Sequence, residues 1–176
     1  MTNAAIVDLV VQSIIDLEGG YVHHPDDRGG PTKYGVTIDT LSAFRGYGVT
    51  PEQVADLTRE EAADIYAMRY VYGPGLDAIS DPALFEAVVD GAVHSGPKRS
   101  IKWLQEALRI TADGVVGPVT RDNLIHCRSR LVRARYLAAR LRFLGALITE
   151  DRSQAAFAKG WLSRIAGYVE GTGYES

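Results

Sequence analysis

Apolar residues recur at helical spacing along most of the chain, and the longest interruption falls between residues 18 and 37. Ile6, Leu9, Val10, Ile14 and Leu17 mark one face of a first helix that stops near Gly19 and Gly20, the residue type that ends helices most easily. Residues 21–37 are rich in Gly, Pro and Asp. They predict a short, irregular hairpin, with Tyr21 and Val22 on one arm and Tyr34, Val36 and Ile38 on the other. Thr50 before Pro51 and Thr58 before Glu61 read as helix starts, the second as a capping box leading into EEAADIYAMRYVY. Asp81 with Pro82 opens a helix through LFEAVVDGAVH. Pro97 opens another, with Ile101, Trp103, Leu104 and Leu108 apolar, and the turn-rich TADGVVGPVT breaks it. Helical patterns over 129–148 and 153–169 complete a mainly α chain.

With 176 residues, 46% of them hydrophobic, the chain can bury roughly two-thirds of its unfolded surface, enough for one compact domain or one plus a small subdomain. The single Cys127 excludes an intramolecular disulfide framework and reads as a small core residue. The first twenty residues lack a basic flank, and Asp8 and Asp16 interrupt their apolar run, so they read as a mature amphipathic helix with no signal peptide. No window approaches the roughly 18 uninterrupted apolar residues of a membrane span, and stable membrane insertion is not expected.

A net charge of −3 hides an acid-free run holding Arg128, Arg130, Arg133, Arg135, Arg140 and Arg142. That run suits attraction to a polyanion. It equally suits a solvated helix face with Leu131, Tyr136, Leu137, Leu141 and Leu144 packed inward, and the helical spacing favours this second reading. Nucleic acid is therefore not expected as a partner.

The candidate chemistry lies in EGGYVHHPDDRGGPTKYGVT, residues 18–37. Glu18 sits at the C-terminal edge of the first helix. The macrodipole there opposes negative charge, which favours the protonated carboxyl that a general acid needs. Asp27 supplies a second carboxylate and Thr32 a hydroxyl that can hold a water, the parts needed to cleave a glycosidic bond. Asp26 competes with Asp27, and either can simply close an Asx-turn. His23 and His24 beside these acids match no familiar zinc spacing, and neither a metal nor an organic cofactor is required. Gly29-Gly30 lacks the Lys-Ser/Thr of a phosphate loop. His94 and Ser95 lie near Asp90, but closeness in sequence does not make a nucleophilic triad, and a helix-end role near Gly96 fits them better. Tyr21, Tyr34, Tyr66, Tyr70, Tyr72 and Trp103 have rings able to stack on sugars or to pack in a core.

EGGY, Asp27-Arg28-Gly29-Gly30-Pro31-Thr32 and Tyr34-Gly35-Val36-Thr37 together resemble the signature of glycoside hydrolase family 108, N-acetylmuramidases of phage and prophage endolysins. Trp103-Leu104-Gln105, Leu108 and Asp113-Gly114-Val115-Val116-Gly117-Pro118-Val119-Thr120 resemble the peptidoglycan-binding region that accompanies it. The sequence departs at His23, His24 and Tyr34, where Asn, an acid or Asn, and Trp are usual.

The resemblance implies a lysozyme-like helical fold, with a catalytic region over 1–95 and a peptidoglycan-binding helical region over 96–176 that can complete one compact domain. It implies cleavage of the β-1,4 bond between N-acetylmuramic acid and N-acetylglucosamine, with Glu18 as general acid, Asp27 as base or charge stabiliser and Thr32 positioning water. Substrate contacts are expected at Tyr21, Tyr34, Gly35 and Trp103. The expected biology is a monomer held in the host cytoplasm until a holin releases it to the periplasm or wall, where it lyses the cell. A lytic transglycosylase, or a wall-binding protein without turnover, are the competing readings.

Overall fold

The computed structural model describes residues 3–18, 20–22 and 30–170, with the side chains of residues 3–6, 13, 17 and 18 outside that description. The chain divides into two compact units, Met1–Arg69 and Tyr70–Ser176.

In the first unit, α1 (Asn3–Glu18) packs on α4 (Arg59–Ala67). The buried stripe of α1 is Val7, Val10, Val11, Ile14 and Ile15, and Leu9 is 59% exposed. This differs from the face read from spacing. The helix is apolar on most sides, so its partner selects the stripe, and Ala62, Ile65 and Tyr66 of α4 are buried in the same unit. Arg59 ties the two helices, its Nε donating to Gln12 Oε1 at 2.6 Å and its Nη2 to Asp16 Oδ1 at 2.5 Å.

Strand structure among the described residues is confined to β1 (Thr32–Lys33) and β2 (Val36–Thr37), antiparallel with Thr32 opposite Thr37, plus a bridge from Val22 to Thr32. A hairpin thus forms within residues 21–37, but between other arms than expected, since Val22 bridges to Thr32 and the second arm of the hairpin pairs with Thr32–Lys33 rather than with Tyr21 and Val22. Tyr34 lies in the turn with Gly35, not on an arm, and Ile38 is the first residue of α2 (Ile38–Arg45). Thr37 leaves the strand and caps that helix, its hydroxyl accepting from Thr40 N at 3.2 Å.

Both predicted threonine caps are present, at α3 (Pro51–Ala55) and α4. The reciprocal capping box is at Thr50 and Gln53, whereas the Glu61 carboxylate is held by Arg45 through two 2.7 Å hydrogen bonds. A guanidinium fork is the stronger competitor for a carboxylate. The α-helix expected through EEAADIYAMRYVY ends at Ala67 and continues as a π-helical turn, Met68–Tyr72.

The second unit holds a short 3₁₀ turn (Leu76–Ala78), then α5 (Pro82–Ser95), α6 (Pro97–Leu108), α7 (Pro118–His126), α8 (Ser129–Glu150), a second 3₁₀ turn (Arg152–Phe157) and α9 (Ala158–Glu170). Helix α5 packs on α6 and α8, and α9 packs on α8. Gly91 sits in mid-helix because Tyr136 crosses there: a Cβ at this position would lie 1.9 Å from the phenol oxygen. Ser100 Oγ donates to Val88 O at 2.7 Å, so the Tyr136 hydroxyl donates to Ser100, also at 2.7 Å.

On α8 the inward face is Val132, Tyr136, Leu137, Ala139 and Arg140. Leu131 and Leu141, expected inside, are 43% and 40% exposed, and Arg140, expected on the solvated face, is buried. Asp90 on α5 is the reason, since its carboxylate takes Arg140 Nη2 at 2.7 Å and Arg164 Nη1 at 2.7 Å. Cys127 is half-buried at the end of α7 rather than in the core.

Candidate active site

Glu18 is the last residue of α1, so the helix places its backbone where the chain leaves the first unit's core for the Gly20 bend. The Glu18 side chain lies outside the described residues, as do His23, His24, Asp26 and Asp27. The chain flanking those residues is tied at both ends. Val22 N donates to Thr32 O at 2.8 Å and Thr32 N to Val22 O at 2.9 Å. Thr32, half-buried on β1, thus anchors the segment carrying the candidate acids.

Beyond Thr32 the chain reverses through Tyr34 and Gly35, at φ 53° and 71°. Two successive positive φ values make the type I′ turn whose twist matches a two-residue hairpin, and Gly35 takes the second without steric cost. Tyr34 is held in this less favoured conformation by its carbonyl, which accepts from Tyr66 Oη at 3.1 Å. Lys33 Nζ donates to Ala55 O at 2.6 Å and stands 5.5 Å from the Tyr34 ring centroid. The hairpin is thereby fixed to α3 and α4. Its neighbour Tyr21 is exposed.

Next to β2, the walls of α2 and the end of α4 enclose a cleft of about 470 Å³ lined by Asp39, Thr40, Ala43, Phe44, Ile65, Met68 and Arg69. Arg69 Nη1 donates to Thr40 Oγ1 at 2.7 Å, and Phe44 and Met68 are exposed. An open cleft with apolar side chains and a few polar groups suits a polar chain molecule with apolar ring faces. Sequence reading did not single these residues out, because exposure of Phe44 and Met68 is set by what fails to cover them.

The structure brings Thr32, Tyr34 and Gly35 together in the hairpin, with Tyr21 beside it. Trp103 belongs to the second unit and is 7% exposed, its ring meeting Tyr136 edge-on at 6.2 Å and Phe143 at 5.2 Å. The second motif is locally self-satisfied. Gln105 is buried on α6, and its Nε2 faces Asp113 Oδ1 at 2.7 Å, Val115 O at 3.0 Å and Thr120 Oγ1 at 3.1 Å, while its Oε1 accepts from Gly114 N at 2.8 Å. Gly114 adopts φ 83°, and a Cβ there would meet Lys98 Cγ at 2.8 Å. The pattern of LQ, DG and GPxT is thus accounted for as a polar staple that folds the α6–α7 connection. Among the described residues no group of three His, Cys, Asp or Glu is gathered for a metal ion, and no helix is long and apolar enough to cross a membrane.

Residues 11–96 match the Glycosyl hydrolase 108 family. The structure of SagA from Brucella abortus is similar over 96% of this chain and 94% of that chain, at 33% identity and a TM-score of 0.77. The chain belongs to the glycosyl hydrolase 108 family. Residues 99–166 match a second family, described as a predicted peptidoglycan domain. No curated protein matches.

This glycosyl hydrolase 108 protein is accordingly a glycoside hydrolase of mainly α, lysozyme-like fold, and the peptidoglycan domain makes it a peptidoglycan hydrolase. The two family matches meet near the Gly96 turn, whereas the compact units divide after Arg69. Helix α5 accounts for the offset: it lies within the catalytic match and buries its apolar face on α6 and α8.

Proposed function

We propose that this protein cleaves the β-1,4 bond between N-acetylmuramic acid and N-acetylglucosamine in peptidoglycan. Glu18 protonates the departing oxygen, Asp27 activates water or stabilises the oxocarbenium-like charge, and Thr32 positions that water. The observation that carries this reading is the position of Glu18 at the end of α1, four residues before the Val22–Thr32 bridge that closes the segment bearing Asp27. A carboxyl at a helix C-terminus is disfavoured as an anion, which suits a proton donor. Tyr21, Tyr34 and Gly35 contact the glycan, and no metal or organic cofactor takes part.

Residues 1–95 carry the chemistry and 96–176 the wall attachment, with Trp103 contributing from the second region. In the cell the protein acts as a monomeric endolysin, reaching the wall from the cytoplasm after a holin opens the membrane. The test is turbidity loss of permeabilised Gram-negative cells or purified sacculi, with wild type beside Glu18→Gln. Clearing by wild type alone is expected. Clearing by both would move the acid to another residue, and clearing by neither would favour a wall-binding role. Mass spectrometry of the fragments separates the chemistries: a reducing end supports hydrolysis, and an anhydromuramyl end means transglycosylation.

A further inference from the structure

In the second unit, α6, α8, α9 and the C-terminal end of α5 enclose a cavity of about 540 Å³, within the size range of small-ligand sites. Its walls are of two kinds. Trp103, Phe143 and Trp161 supply aromatic surface, and Arg99, Arg140 and Arg164 supply charge. Among the described residues no carboxylate lines the cavity; Asp90, adjoining it, pairs with Arg140 and Arg164. Three arginines against that one carboxylate leave an excess of positive charge.

These arginines are not equivalent. Arg140 is consumed by the fold, with Nη2 on Asp90 and Nη1 on Ala87 O. Arg164 meets Asp90 and His94 through Nη1 alone among the described residues. The Arg99 guanidinium lies 4.5 Å from the Phe143 ring centroid, and no described residue accepts its N–H groups. A guanidinium stacked on a ring keeps its edge for an in-plane acceptor, and the fork matches a carboxylate. Trp161, three residues before Arg164 on α9, is held by stacking on Phe157 with centroids 5.8 Å apart.

We propose that this cavity binds the free carboxylate of a peptidoglycan stem peptide, with Arg99 and Arg164 taking the carboxylate and Trp161 packing against the adjoining methyl and methylene groups. The proposal rests on the peptidoglycan reading of the chain and adds which part of the polymer is held and by which side chains. A phosphate polymer satisfies the same forks but offers less apolar surface to the aromatic walls. The peptide satisfies both.

The test is calorimetric titration of the full-length protein with a synthetic stem tetrapeptide, the same peptide with every carboxylate amidated, and a glycerol-phosphate oligomer. Amidation and Arg99→Gln are each expected to weaken binding about tenfold, the loss of one charge-assisted contact. Trp161→Leu weakens it as well. Arg99 is exposed and outside the Asp90 cluster, so its variant keeps the fold, which an unchanged unfolding midpoint verifies. Equal affinity for free and amidated peptides, an unchanged Arg99→Gln affinity, or binding of the phosphate oligomer in preference to the peptide would overturn the proposal. So would absence of peptide binding. Clearing of sacculi reads Glu18 and peptide titration reads this cavity, so either reading can fail while the other stands.

Discussion

Replacing Asp90 by Asn tests the central electrostatic arrangement of the second unit. Asp90 is 1% exposed, and its two oxygens receive Arg140 and Arg164. Burial alone would push its carboxyl up, but the His94 hydrogen bond and the charges of Arg140 and Arg164 overcome that and hold it at about 2, below its ordinary 3.8. The Asn variant keeps the shape and leaves Arg140, whose side chain is 6% exposed, without its counter-charge. Breaking a buried pair from one side costs about 3–5 kcal/mol, which for a chain of this length lowers Tm by roughly 10 °C. Arg164, at 28% exposure, can turn to water and contributes the smaller share.

The same pairing has a pH signature. A depressed carboxyl stabilises the fold above its unfolded pKa and loses that contribution as pH falls toward its folded value. The difference between 3.8 and about 2 corresponds to about 2 kcal/mol, disappearing between about pH 5 and pH 2. Both tryptophans, Trp103 and Trp161, belong to the second unit, so urea unfolding followed by tryptophan fluorescence reports on it. Wild type should lose about 2 kcal/mol more over that window than Asp90→Asn, which keeps only the smaller losses from carboxylates such as Asp113 and Asp151 that are also held below their ordinary range. Adding Arg140→Met to Asp90→Asn should restore most of the loss, because an apolar side chain needs no counter-charge. A single variant within about 0.5 kcal/mol of wild type, or a double variant no better than the single, would refute the reasoning.

Three further outcomes follow from packing and capping. Gly91→Ala should destabilise by about 3 kcal/mol in urea unfolding, because its Cβ would stand 1.9 Å from the Tyr136 hydroxyl, and adding Tyr136→Phe should recover part of the loss. Gln105→Leu should cost about 2–3 kcal/mol by the same measurement, since it strands Gly114 N–H and the acceptors around it; a change below about 0.5 kcal/mol would show that the staple is dispensable. Thr37→Ala should lose about 1 kcal/mol of thermal stability through the missing cap of α2, and Thr37→Ser should retain it.

Much of the candidate site could be read along the chain. The end of α1 at Glu18 and the presence of a short hairpin within residues 21–37 follow from glycine placement and short-range backbone preferences, which act over a few residues. The place of the Tyr34-Gly35 turn does not, because Tyr34 reads as a strand residue and holds its positive φ with its carbonyl on the distant Tyr66 hydroxyl. The cleft of Phe44, Met68 and Arg69 could not, since it exists only where α2 meets the end of α4. The Gln105 motif was legible as a motif, but only its hydrogen bonds distinguish a fold staple from a ligand contact.

Helix starts at Thr50, Thr58 and Asp81, the mainly α composition and the family signature were determined by sequence alone, because capping, proline placement and apolar periodicity are local. Tertiary structure decided what those helices face. It chose the Val7–Val11–Ile14 stripe on an α1 that is apolar on most sides, and it gave Glu61 to Arg45. It drew Arg140 from a basic run into the core, toward an Asp90 that lies 50 residues away in sequence. Helix α5 likewise packs with the second unit although its sequence belongs to the catalytic match. In each case the outcome depends on a distant partner that removes water or supplies a counter-charge, and no spacing rule along one segment encodes that partner.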